Sequence, residues 1–161
     1  MDTSLEIRFA CDAMLGGLAR WLRAAGYDTS LESGIDDRDL ICLSRDEGRT
    51  LLSSDTKIFQ FAVIRDGRQP ALFVPIRMAP LAQLGYVLTK LRLSLQEPRC
   101  MACGGKLVEV PKEQVADRVP PRTFAWLERF WECIRCRQVF WHGTHWNRIT
   151  EALRLAYRQP E

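Results

Sequence analysis

No stretch of this 161-residue chain is apolar for the roughly 18 residues that a bilayer-spanning helix needs, so no membrane partner is expected. Its opening residues, MDTSLEIRFACD, lack the basic start, apolar run and small-residue cleavage site of a secretory signal. The expectation is an intracellular, cytoplasmic protein. Internal repeats and low-complexity segments are absent as well, which excludes solenoids and arrays. A strong excess of one charge is also missing. Lys and Arg number 23 against 20 Asp and Glu, and the net charge of +3 is too small to identify a nucleic-acid binder by itself. The acidic residues gather before position 70 and arginine is plentiful afterwards, a distribution that permits an RNA partner.

What is present is ordinary globular material, 47% hydrophobic and 27% charged, enough for one core or for a domain of about 100 residues with a small appendage. Short apolar runs alternate with amphipathic segments through residue 97. LEIRFAC (5–11), YDTSLES (27–33), RTLLSSD (49–55) and PALFVPI (70–76) read as strands. Helices are expected in MLGGLARWLRAAG, DDRDLICLSRDEG, TKIFQFAVIRDG and MAPLAQLGYVLTKLRLSL. In the first of these Leu15, Leu18, Ala19, Leu22 and Ala25 share a face and Gly26 supplies the stop. Such alternation implies an α/β fold with a mainly parallel sheet covered on both faces. LQEPRC marks a boundary, giving residues 1–97 as one domain and 98–161 as a second. In the second, KLVEV and QVFWH read as short strands, and the segment between them as one or two short helices. THWNRITEALRLAYRQ reads as a closing amphipathic helix.

Cysteine usage carries the sharpest signal. Cys100-Met-Ala-Cys103 and Cys133-Ile-Arg-Cys136 each place two sulfurs on one tight turn. In a reducing compartment such pairs point to metal rather than to disulfides. Four thiolates complete a tetrahedral Zn²⁺ and leave no position for substrate water, so the expected site is structural. The competing reading is two redox dithiols. Arg99, Lys106, Arg135 and Arg137 are placed to offset the negative charge of a zinc tetrathiolate. His142 and His145 offer an alternative Cys/His ligand set, with packing roles preferred. Cys11 and Cys42 read as small core residues.

A second constellation is acidic. Asp12 and Asp55 end the first and third expected strands, and Asp36 and Asp37 open the helix after the second. Ligands of open parallel sheets bind beyond the carboxyl ends of the strands, which puts Asp12, Asp37 and Asp55 on one rim. Each also suits a helix N-cap. Together, carboxylates on one rim repel unless a cation such as Mg²⁺ or Mn²⁺ joins them, and that chemistry suits phosphodiester hydrolysis. Arg20, Arg23 and Lys57 are candidate phosphate-binding cations, against the alternative of a solvated helix face.

FACDAMLGGLARWLRAAGYDT, IDDRDLICLSRDEGRTLLSSD, VPKEQVADRVPPRTF, FWECIRCRQVFWHGTHWNRI and the paired cysteines together resemble the PIN-like RNase module at the C-terminus of Mutator-type 3′–5′ exonucleases. The similarity runs from about Ile7 to Ile149. It implies a PIN-like three-layer α/β/α fold, divalent-metal-dependent cleavage of RNA, and a zinc ribbon appended for stability or RNA contact. By motif, Asp12 matches the first acidic position, in DAMLGGLARWLR. Asp37 matches the second, in DRDL, with Asp36 one residue out of register. Asp55 matches the third, after LL-x-x-D. This chain reads SSDTK where many relatives are more basic, which leaves Lys57 as the local cation. PIN-like domains often dimerise, so a homodimer is also implied.

The alternative function is a non-catalytic RNA-binding module in which Arg135, Arg137, Phe140, Trp141 and Trp146 of the ribbon stack on bases and meet phosphates. A third is an adaptor that keeps the fold without the chemistry.

Overall fold

The apolar runs form four short parallel strands: Phe9–Asp12 (β1), Thr29–Glu32 (β2), Thr50–Ser53 (β3) and Ala71–Phe73 (β4). They belong to a computed structural model that describes residues 6–158; Leu5 and Gln159, read above as strand and helix residues, lie outside it. The strand order is β2-β1-β3-β4, with Phe9 opposite Thr29 on one side and Thr50 on the other. The chain therefore turns back past its first strand between β2 and β3. That reversal creates a crevice at the carboxyl ends of β1 and β3.

Alternation along the strands covers the sheet on both faces. Phe9, Cys11 and Leu52 face one core, built with α1 (Gly16–Ala24), α4 (Pro80–Lys90) and the closing helix α6 (Thr144–Arg158). Ala10 and Leu51 face the other, with Leu40 and Ile41 of α2 (Asp37–Asp46) and Val63 and Ile64 of the short α3 (Ala62–Arg65). The expected α1 stripe is buried throughout, from Leu15 to Ala25. Removing each of its leucines from water is worth about 1.5–3 kcal/mol. Helices α1 and α4 approach closely at Gly17, where a Cβ would lie 2.6 Å from Cγ of Pro80.

Two segments differ from the sequence expectation. Residues 56–67 do not form one helix: a 3-10 turn over Thr56–Gln60 gives way to α3 at Phe61, whose ψ of 132° is extended. Burying Ile58 completely while turning Phe59 and Phe61 onto the same sheet face needs this break. Cys42 is exposed on α2 rather than part of the core, whereas Cys11 is fully buried, and burial pushes its thiol up to about 12.

After α4 the chain builds a small antiparallel sheet in the order β5-β6-β7: Leu107–Val110 (β5), Phe130–Cys133 (β6) and Val139–Phe140 (β7). The connection from β5 to β6 holds a 3-10 turn at Lys112–Val115 and the helix α5 (Pro121–Trp126). Strand β6 was not expected; its residues were read as the end of a helical connection. Phe130 anchors a satellite core with Val115 and Val119. The chain then returns to the main core, where α6 buries Ile149, Leu153 and Ala156 beside α1 and α4. Among the described residues no helix is long and apolar enough to cross a membrane.

Candidate active site and cysteine cluster

The β1–β3 crevice holds the acidic group. Asp12 ends β1, and both of its carboxylate oxygens are held: Oδ1 accepts from the Met14 N–H at 3.0 Å and Oδ2 from the Ser53 hydroxyl at 2.8 Å. The Ser53 oxygen also accepts the Asp55 N–H at 3.0 Å, so one fully buried serine links the first and third aspartates. Asp55 caps the following turn by accepting from the Lys57 N–H at 2.9 Å. At the second position the two neighbouring aspartates divide the work. Asp36 is the N-cap of α2, accepting from the Asp39 N–H at 2.9 Å, while Asp37 is the first helical residue.

Asp37 senses the others electrostatically. Its carboxyl is raised above the usual range, first by burial and then by the charges of Asp55, Asp12 and Asp36, with Lys57 opposing. The carboxylates thus converge without closing up: among the described residues only the cysteines form a metal-ligating group whose donor atoms all lie within 4.8 Å of one another.

Of the three expected cations, Arg20 is exposed on α1 and forms no ion pair among the described residues. Lys57 stands beside Asp55 and close enough to Asp37 to act on its charge. Arg23 is different. Only 7% exposed, it donates from Nε to the Thr29 carbonyl at 2.9 Å and from Nη1 to the carbonyls of Met101 and Ala102 at 3.0 and 3.1 Å. It joins the sheet to the first cysteine turn.

The four cysteines lie where the spacing put them. The Sγ atoms of Cys100 and Cys136 are 3.6 Å apart, and those of Cys103 and Cys133 are 3.4 Å apart. These separations are too long for a disulfide and close to the roughly 3.8 Å between thiolates sharing one Zn²⁺. Burial pushes the Cys100 thiol up to about 12. Burial also opposes ionisation of Cys133, but the N–H groups of Cys136 and Arg135 overcome it and bring that thiol down to about 7. Four thiolates here need a cation to compensate them.

The first turn is clamped by arginine. Besides Arg23, Arg135 donates to the Cys103 carbonyl at 2.9 Å and Arg99 to the Gly104 carbonyl at 3.0 Å, so every carbonyl from Met101 to Gly104 accepts from a guanidinium. Arg137, also expected near the sulfurs, pairs instead with Glu132 at 3.0 Å. Neither histidine joins the cluster. His142 is stacked between Trp131 and Trp146, with centroids at 4.3 and 5.0 Å.

Residues 7–153 match the Mut7-C RNAse domain, a span that contains the acidic crevice and all four clustered cysteines. The chain belongs to the Mut7-C RNase domain family. No curated protein matches it. Membership of the Mut7-C family implies ribonuclease activity with RNA as substrate, in keeping with the resemblance seen in the sequence. Two participants escaped the sequence reading. Ser53 carries no motif of its own, although its place two residues before Asp55 at the end of a buried strand was a usable clue. Two of the three partners of Arg23 lie 78 and 79 residues away and left no local signal.

Proposed function

We propose that this protein hydrolyses RNA phosphodiester bonds in a reaction dependent on Mg²⁺ or Mn²⁺ held by Asp12, Asp37 and Asp55. The observation that carries the reading is the Ser53-linked pair of Asp12 and Asp55 at the sheet's reversal point, with Asp37 raised by burial and then by their charges. Asp36, exposed where Asp12, Asp37 and Asp55 are half-buried, is left out of the ligand set. A divalent ion bound there supplies Lewis-acid neutralisation of the phosphate and a water of lowered pKa. The protein's own part is orientation and charge. Met14 N–H and Ser53 fix the Asp12 carboxylate in one rotamer, and the Lys57 N–H does the same for Asp55. The cation of Lys57 stands by the aspartates and attracts the RNA backbone, with Arg20 exposed on α1 as a second cation. Arg23 serves as a positioning residue that holds the cysteine turn.

The four cysteines would hold a structural Zn²⁺, closed to substrate. In the alternative, purely RNA-binding reading, the ribbon's aromatics and arginines meet the ligand. The ribbon's arginines already have internal partners: Arg137 with Glu132 and Arg135 with the Cys103 carbonyl. That favours the catalytic reading.

The test is cleavage of a panel of labelled single-stranded and structured RNAs, comparing wild type with Asp12→Asn and Asp55→Asn, in Mn²⁺, Mg²⁺ or EDTA. Metal-dependent cleavage lost in both variants is the expected result. Equal cleavage by the variants would place the chemistry elsewhere, and tight binding without cleavage would leave a binding module.

A further inference from the structure

A cleft of about 700 Å³ separates α1 and β2 from the small sheet and the start of α6. Its size is that of a small-molecule site. One wall carries Gly16, Arg20 and Leu31; the other carries Phe140, Trp141 and Trp146. Two elements tie the cleft to the strand that ends at Asp12. Gly16 follows directly on the 3-10 turn that Asp12 caps, and Leu31 pairs with Cys11, one residue before Asp12. Leu31 is 39% exposed, a large apolar side chain left uncovered at the sheet's edge strand.

The aromatic wall is rigid before any ligand arrives. Trp141 packs edge-on against Phe130, with centroids at 6.4 Å, and Trp146 stacks on His142, itself stacked on Trp131. The opposite wall is fixed at its base by Arg23, which bonds β2 to the Met101 and Ala102 carbonyls of the first cysteine turn. Preset walls of this kind bind flat, apolar groups at little cost in ordering. Arg20 adds a cation with no ion-pair partner among the described residues.

An aromatic-lined slot with a guanidinium unpaired among the described residues, built on the elements that lead from Asp12, is complementary to one chemical unit: a base with its attached phosphate. We propose that the cleft holds a single unpaired nucleotide of the RNA strand, its base against the aromatic wall and its phosphate on Arg20. The proposal rests on the ribonuclease reading for its substrate, and it deepens that reading. A base inside a duplex is stacked and paired, so only a single-stranded segment can deliver one into the slot. The enzyme therefore selects single-stranded RNA, and one base at a fixed distance from the cleaved bond contributes most of the selection.

Binding and cleavage are tested separately. Binding uses full-length Asp12→Asn protein with a labelled single-stranded RNA of about eight nucleotides, in which an abasic site replaces each base in turn. A single position should weaken binding about tenfold or more when its base is missing. Arg20→Ala and Ala102→Glu, added to the same background, should each weaken the intact RNA and flatten that positional profile. Ala102 is exposed at the cleft, so this change adds a carboxylate without opening a core. Circular dichroism and zinc content confirm that the variants fold. A flat profile in the parent protein, equal affinity for duplex RNA, or an unchanged profile in both cleft variants would overturn the proposal. Absence of metal-dependent cleavage by wild type would sink the ribonuclease reading alone, because the binding profile still decides the cleft.

Discussion

The Ser53 hydroxyl donates to Oδ2 of Asp12 at 2.8 Å while accepting the backbone N–H of Asp55 at 3.0 Å. One buried oxygen thus ties the carboxylate of Asp12 to the backbone of Asp55, a residue distant in sequence. Partners of this kind matter nearly as much as ligands, with losses of about 10–100-fold in metal affinity or activity when removed. Ser53→Ala should therefore lower RNA cleavage by about that factor and raise the Mn²⁺ concentration needed for half-maximal rate. A titration of initial rate against Mn²⁺ checks this; an unchanged midpoint and rate would deny Ser53 any role in the site.

Asp37 links the site to stability. Its carboxyl is raised in the folded protein by burial and by the charges of Asp55, Asp12 and Asp36, so the native state binds that proton more tightly than the unfolded chain does. Stability of the metal-free protein consequently falls as pH rises from about 3.9, the unfolded value, through the higher folded one. The dipole of α2 favours the ionised form, but the net shift shows that burial and repulsion prevail. Asp37→Asn should raise the melting temperature of metal-free protein at neutral pH and leave it unchanged in acid. Mn²⁺ should stabilise wild type and not the variant. Thermal melts between pH 4 and 8, with and without Mn²⁺, test both signs.

The cysteine cluster is tightest at Gly105. A Cβ there would stand 2.6 Å from the Cys133 sulfur and 2.9 Å from the Arg135 Cβ, with no flexible side-chain end to give way. Gly105→Ala should release zinc from a protein purified with one equivalent, as measured by metal analysis. Chelation of wild type should likewise expose β5 and β6 to hydrogen exchange while β1 and β3 stay protected. Full protection of β5 and β6 in the chelated protein would remove the case for a structural metal.

Arg23 makes the same connection from the other side. Replacing it with methionine leaves the carbonyls of Thr29, Met101 and Ala102 without their donor, at about 1–3 kcal/mol for each that water does not reach. Urea denaturation of Arg23→Met should show a clear loss of stability, with zinc retention falling in parallel. Arg20→Ala, one turn away and exposed, should leave stability within about 0.5 kcal/mol of wild type.

Local rules made much of this legible. The stripe from Leu15 to Ala25 obeyed helical spacing, and the paired cysteines announced their cluster. Asp12 and Asp55 met in one crevice because strand ends set by alternation are brought together by a parallel sheet. What could not be read depended on contacts between distant segments. The break at Phe61 comes from fitting three apolar residues onto one face. Strand β6 is only four residues long, and its Glu132 looks polar and exposed until Arg118 and Arg137 are seen to pair with it. Cys42 resembles its apolar neighbours in sequence, and only the rotation of α2 decides that it faces outward.

The return of α6 to the side of α4 has a further consequence. Roughly fifty residues separate the end of α4 from the start of α6, and closing so long a loop is entropically costly. A metal joining Cys100 to Cys136 would shorten the flexible path to roughly twenty residues, lowering that cost by about 1 kcal/mol. A metal bound there would act on the parallel-sheet half without touching it, as a splice that lets the final helix find its place in the core. Metal supply would then govern how completely the fold closes, ahead of any effect on substrate.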